Sequence, residues 1–256
     1  MLKKIIAAAN AAIAAAALCM AACAFNAYSL DNTCRGYGQG RETDKNNRPV
    51  GAEMFNSEYS QYDCYAMFED NKKICLTFDQ GYENGYTTSI LDTLKDKNVK
   101  AVFFLTGDYA ERNPELVRRM IDEGHIIGNH GWKHASLPKL SEDEAENEIM
   151  VLHDYIKEKF SYEMCYFRPP CGEYSEQALA TCQKLGYKTL LWSFAYEDWD
   201  VNNQPDTSAA FERVSTAAHG GAIYLLHSVS ATNAEILPRV IDSIREQGFE
   251  LSLPTN

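Results

Sequence analysis

Ile74-Cys75-Leu76-Thr77-Phe78-Asp79-Gln80-Gly81 is a nearly unbroken apolar run that ends in a carboxylate, an amide and a glycine. A strand half-exposed to water alternates apolar and polar residues, whereas one covered on both faces does not, so this run reads as a parallel strand between two layers. Further runs of the same kind occupy Lys100–Leu105, His125–Gly128, Cys165–Phe167, Tyr187–Trp192, Ala222–Leu226 and Phe249–Leu253. Amphipathic stretches with helix punctuation lie between them. Asn113-Pro114 places a cap before a first-turn proline, Ser141-x-x-Glu144 is a capping box, and Gly124, Gly186 and Gly248 stand where C-terminal caps belong. Pro238 falls inside the last predicted helix, where it removes one backbone hydrogen bond and is expected to kink the helix or delay its start. Alternating strands and helices make an α/β fold, either a doubly wound sheet or a (β/α) barrel, and periodicity does not choose between them.

This grammar begins at Lys72 and runs to the C-terminus, so residues 72–256 are expected to form the main domain. Residues 28–71 are rich in Gly, Asn, Tyr and charge, with no sustained period, and read as an irregular N-terminal arm packed on it. Residues 1–27 read as a targeting leader: Lys3 and Lys4, then an Ala-rich stretch interrupted by Asn10. The uninterrupted apolar part, Ala11 to Phe25, is shorter than the span of about 20 residues that crosses a bilayer. Met20-Ala21-Ala22-Cys23 also resembles a bacterial lipoprotein cleavage box, with Met where Leu is usual, in which case Cys23 would carry a lipid as the sole membrane attachment. The chain is therefore expected to be exported, as an extracellular, cell-wall or lipid-anchored protein.

With 256 residues, 45% of them hydrophobic, the chain can bury a full core. Its formal charge of -12, or -14 without Lys3 and Lys4, disfavours a nucleic-acid partner in the absence of a basic cluster. Six cysteines follow the leader (Cys34, Cys64, Cys75, Cys165, Cys171 and Cys182), an even number that suits disulfides in an oxidising compartment and leaves 15 pairings open.

Polar residues gather at the strand ends, where barrels and open α/β sheets build their sites. Asp79 and Gln80 follow the first strand, Asn129 and His130 the third, Arg168 the next, Asp198 comes shortly after Trp192, and His227 caps the run ending at Leu226. His130 and His134 are four apart, a spacing that on a helical turn presents two ring nitrogens to one ion. Arg168 beside Asp79 would hold that carboxylate ionised, so Asp79 can serve as a metal ligand or as a base. Asp198 can hold His227 in the tautomer and charge state of a general acid. His125, His153 and His219 read as structural or surface residues.

Leu76-Thr77-Phe78-Asp79-Gln80-Gly81, His130-x-x-x-His134, Arg168-Pro169-Pro170-Cys171-Gly172, Asp198-Trp199 and Leu226-His227, in this order, resemble the five motifs of NodB-type polysaccharide deacetylases. Tyr82-Glu83-Asn84-Gly85-Tyr86 and Gly221-Ala222-Ile223-Tyr224-Leu225-Leu226-His227-Ser228-Val229-Ser230 are similar to the delta-lactam-biosynthetic, or muramic, de-N-acetylases of spore-forming bacteria. The resemblance implies a distorted (β/α) barrel with fewer than eight regular strands, and hydrolysis of an N-acetyl group from an amino sugar of peptidoglycan glycan strands, by a monomer. It implies Asp79 as base, His227 as acid, Arg168 and Asp198 as their partners, and a divalent ion, zinc by preference, on His130 and His134. Gln80 would be a weaker, neutral third donor where the common pattern has an aspartate. Trp199, Tyr82, Gly172 and the Cys171 backbone N–H are the implied substrate contacts, although most members carry a large aromatic or basic side chain where this chain has Cys171. Two alternatives remain: a peptidoglycan N-acetylglucosamine or chitin-type deacetylase using the same residues, and a glycan-binding relic without chemistry.

Overall fold

The computed structural model describes residues 30–254, so the expected leader, its cleavage and a lipid on Cys23 lie outside the described residues. Residues 32–256 make one unit, which holds every element of the fold. The first elements are β1 (Arg35–Gly36), α1 (Val50–Tyr59) and β2 (Cys64–Tyr65), then β3 (Lys73–Gln80), α2 (Thr87–Asp96) and β4 (Val102–Leu105). After α3 (Gly107–Arg112) and α4 (Pro114–Asp122) come β5 (Ile126–Asn129), α5 (Glu142–Phe160), β6 (Tyr166–Phe167) and β7 (Glu173–Tyr174). The chain ends with α6 (Glu176–Lys184), β8 (Lys188–Leu190), α7 (Thr207–Thr216), β9 (Ile223–His227), α8 (Ala231–Glu246) and β10 (Glu250–Leu251).

All seven apolar runs form strands, and β3 shows why they are apolar throughout. Ile74, Leu76 and Phe78 face the helices, Phe78 stacking on Phe103 at 5.2 Å, whereas Cys75 belongs to an inner cluster with Val102, Phe104 and Ile223. Both faces are dry. The parallel sheet runs β10-β3-β4-β5-β6-β8-β2, and β9 pairs with β3 from Cys75↔Ile223 to Asp79↔His227. The sheet curls until the chain beyond β8 reaches β9 through the Phe194↔Tyr224 bridge, with Leu225 N–H donating to the Phe194 carbonyl at 2.8 Å. The result is a distorted barrel closed by a short bridge, and the catalytic candidates sit at one end of it.

Ser141 and Glu144 form the full capping box of α5 and Pro114 opens α4, as expected, but the Asn113 side chain makes no capping bond and donates instead to the Tyr109 carbonyl. Pro238 differs from expectation. α8 runs continuously from Ala231 to Glu246 with Pro238 inside, because Ile236, Leu237, Val240, Ile241 and Ile244 are all buried on its inner face. Five such side chains contribute about 1.5–3 kcal/mol each, which outweighs the ~3 kcal/mol an interior proline costs.

The arm expected over residues 28–71 is more regular, from residue 30 on, than the irregular segment expected. Ala52, Phe55 and Tyr59, three and four apart, bury one face of α1 in a separate cluster with Leu179 and Leu191. β2 adds a parallel strand beside β8, and β1 pairs with β7. A helical period of only ten residues, among Gly and Asn, was too short to register. The six cysteines are free thiols, with Cys64, Cys75 and Cys182 buried and Cys34, Cys165 and Cys171 exposed. Among the described residues no helix is long and apolar enough to cross a membrane.

Candidate active site

Asp79 points into the barrel mouth from the C-terminal end of β3, and its charge is set by Arg168, whose side chain is 0% exposed. Arg168 Nη1 donates to Asp79 Oδ1 at 2.8 Å and to Thr77 Oγ1 at 2.7 Å, Nε and Nη2 donate to the Leu190 and Leu191 carbonyls at 3.0 Å, and the guanidinium lies 4.2 Å above the Phe104 ring. Each charge is thus compensated, the condition under which a buried pair is tolerated. Burial alone raises the Asp79 carboxyl, but Arg168, then His130 and His227, outweigh it and hold it below the usual carboxylate range.

His130 follows β5. Its Nδ1 lies 2.8 Å from the Arg168 carbonyl, which can only accept, so Nδ1 carries the proton. Burial first, and His134 and Arg168 with it, lower the ring's pKa to about 4 against the pull of Asp79, leaving a neutral imidazole with its lone pair on Nε2. That Nε2 stands 3.2 Å from His134 Nε2 and 3.5 Å from Asp79 Oδ2. Two nitrogens on one tetrahedral ion are about 3.3 Å apart, so the imidazole pair fits a divalent ion, with the Asp79 carboxylate alongside. Gln80 stands apart from this set. It falls on the helix-facing side of β3 with Phe78, its Nε2 donates to Ser228 Oγ at 2.5 Å, and its buried Oε1 has no partner among the described residues. The period of two along β3 separates it from Asp79.

The expected helical turn at His130–His134 is instead an irregular loop, with Gly131 at φ +82° and His134 at φ +58°. On the far side, His227 Nδ1 donates to Asp198 Oδ1 at 2.7 Å, while Asp198 Oδ2 accepts the His227 backbone N–H at 2.8 Å and an amide hydrogen from Asn233. Burial disfavours the imidazolium, but the Asp198 charge and hydrogen bond, helped by Asp79, raise the His227 pKa above the ordinary histidine value. His227, whose charged form Asp198 favours, therefore faces a carboxylate that Arg168 favours ionised.

These groups share a groove with two arms. One cavity of about 610 Å³ and another of about 760 Å³ have Asp79, His130, His134, Trp199 and His227 in common. Tyr82 lines the first, Cys171 and Gly172 the second. Tyr82 and Trp199 are 49% and 57% exposed, large aromatic faces open to solvent at a polar site. A carboxylate base, a cationic imidazole and two metal-competent imidazoles around a solvent-open groove can hydrolyse an amide.

Residues 68–190 match the family described as polysaccharide deacetylase. Over 240 residues the chain is 40% identical to the peptidoglycan-N-acetylmuramic acid deacetylase PdaA of Bacillus subtilis, covering 93% of this chain and 90% of that protein. The chain belongs to the polysaccharide deacetylase family. The solved structure of that PdaA, a family 4 carbohydrate esterase, superimposes with a TM-score of 0.82 at 38% identity, covering 87% of this chain and 96% of that one. The peptidoglycan-N-acetylglucosamine deacetylase PgdA of Listeria monocytogenes is 36% identical over 180 residues, 70% of this chain and 37% of that protein. Deacetylases of this family depend on a metal ion.

Two residues without a motif of their own hold the deacetylase site in shape. Glu148, buried on α5, accepts the N–H groups of Lys133 and Ala135 on Oε1 at 2.6 and 3.1 Å, clamping the residues on either side of His134. Gly131 sits at φ +82°, where side chains are strained, and a Cβ there would also push on that same oxygen at 2.8 Å. Asn233 on α8 donates to Asp198 and to the His227 carbonyl, and accepts from Tyr196. A charged residue at an otherwise apolar position of a helix was the available signal for Glu148. Asn233 carried none.

Proposed function

We propose that this chain hydrolyses the N-acetyl group of N-acetylmuramic acid in peptidoglycan glycan strands, on the route to muramic delta-lactam, releasing acetate outside the cell membrane. The observation that carries the reading is the opposed pair at the groove floor: Asp79 bound to the Arg168 guanidinium, and His227 bound through Nδ1 to the Asp198 carboxylate. Similarity to PdaA over nearly the whole chain supports muramic acid as the sugar.

Asp79 takes a proton from the attacking water as it adds to the acetamide carbonyl. His130 and His134 would hold the divalent ion, zinc by preference, which when bound supplies positive charge near the carbonyl oxygen and acidifies water. Gly172 N–H is engaged with the Pro169 carbonyl at 3.1 Å, which leaves the N–H of Cys171, at φ +57°, as the loop's donor to the developing oxyanion. His227 then protonates the departing nitrogen through Nε2, its Nδ1–H remaining on Asp198. The C–N bond breaks to give acetate and a free amine. Tyr82 and Trp199 provide apolar faces on which sugar rings stack.

Mass analysis of peptide-stripped glycan strands after incubation with the metal-loaded protein tests this reading. Loss of acetyl groups from muramic acid is expected. Loss from glucosamine alone would replace it with a PgdA-like specificity.

A further inference from the structure

The second arm of the groove has a wall that the barrel does not supply. Gln39 and Arg41, which precede the family-matched region, line it, and α7 contributes Arg213. The wall is fixed in place: Tyr37 Oη donates to the Trp192 carbonyl at 2.6 Å, Trp192 Nε1 donates to Gln39 Oε1 at 2.9 Å, and Gln39 Nε2 donates to the Ala195 carbonyl at 3.4 Å.

The two arms differ in charge. The arm beside Tyr82 is bordered by Asp108 and Asp200 against a single cation, Lys133. In the other, Asp79 is neutralised by Arg168, leaving Glu197 against Arg41 and Arg213. Among the described residues neither Arg41 nor Arg213 has a carboxylate within 4 Å, and Arg213 lies 5.9 Å from the Tyr196 ring. The nearby Lys139, by contrast, is committed to Glu173 at 2.7 Å. On a chain of net charge -12, an anionic ligand meets general repulsion, so its acceptance has to be local.

We propose that Arg41 and Arg213 form an anion subsite that binds a carboxylate of the substrate strand and so orients the strand along the groove. The guanidinium fork matches a carboxylate in a bidentate way that an ammonium does not. The inference rests on the peptidoglycan reading, which offers two carboxylates of this chemistry: the lactyl ether of the reacting muramic acid, and the stem peptide of a muramic acid beside it. A strand laid the other way would place that carboxylate against Asp108 and Asp200.

The test is equilibrium binding to the His227→Ala protein, which removes turnover, of three probes of equal length: a chitooligosaccharide, peptide-stripped glycan strands and strands with intact stems. Carboxylate-bearing strands are expected to bind more tightly than chitooligosaccharide, with a preference that weakens as salt is raised. Adding Arg41→Gln and Arg213→Gln is expected to reduce that preference about tenfold, or ~1.4 kcal/mol. Preference for stripped strands identifies the lactyl carboxylate, and preference only for intact strands identifies the stem. An undiminished preference in the double variant, or none before it, overturns the subsite. A preference lost as expected, with no acetate released from any muramic acid by the unmodified protein, would instead remove the muramic reading and leave the subsite standing.

Discussion

Removing Glu148 should loosen the loop proposed to hold the ion without touching either proposed ligand. Its Oε1 accepts two backbone N–H groups, at 2.6 and 3.1 Å, and between them His134 is held at φ +58°. A hydrogen bond to a charged group contributes about 1.5–3 kcal/mol, and a non-glycine residue in the left-handed region gives back about 1 kcal/mol when released. In Glu148→Ala the two N–H groups turn to water and His134 relaxes. Taking the low end of the range for both bonds and subtracting the strain released, roughly 2 kcal/mol of preorganisation is lost, which is about 30-fold in affinity at ~1.4 kcal/mol per decade. Glu148→Gln retains an acceptor oxygen at the same position and should lose about tenfold or less. Titration of zinc into the metal-free protein by calorimetry measures both, alongside acetate release. If Glu148→Ala binds zinc and turns over within threefold of the unmodified protein, the clamp is not what positions His134.

Asp198→Asn removes the negative charge that raises the His227 pKa, and the proposed mechanism requires His227 protonated. Activity is therefore lost as pH rises through that pKa, and in the variant the alkaline limb of kcat/KM should move down by about one pH unit; an unmoved limb would mean another group is the acid. Arg168→Met leaves the buried Asp79 charge unpaired and should destabilise the fold by about 3–5 kcal/mol in urea titration. A loss below about 1 kcal/mol would show that water reaches Asp79 freely. His134→Ala should weaken zinc binding at least about tenfold, whereas Gln80→Ala, whose side chain is engaged with Ser228 away from the groove, should change it less than about threefold.

The barrel was legible in the sequence because its signal is local: each apolar run, such as Ile74–Phe78, is fully covered and reads so one residue after another. The meeting of the candidate site residues was legible for the same reason, since Asp79, His130 and His227 stand immediately at strand ends and a parallel barrel brings those ends together. What escaped depends on contacts between distant segments. The His130–His134 spacing suggested a helical turn, but the loop is shaped by Glu148, 14 residues beyond His134 on another element. The family resemblance implied Gln80 as a weak third donor, where the common pattern has an aspartate, yet the two-residue period of β3 turns it to the other side. Asn233 and Arg41 reach the site from α8 and from the N-terminal segment, neither of which carries a motif. α1 was missed because three buried residues in a short, polar stretch make a weak period.

The opposed base and acid are tested most directly by acetate release from peptide-stripped glycan strands under divalent-ion saturation, comparing the unmodified protein with Asp79→Asn and His227→Ala. Both variants are expected to keep the fold, seen by circular dichroism, and to bind the strands, while losing at least about 10² of kcat. Turnover within tenfold of the unmodified protein in either variant would contradict the assignment of that residue.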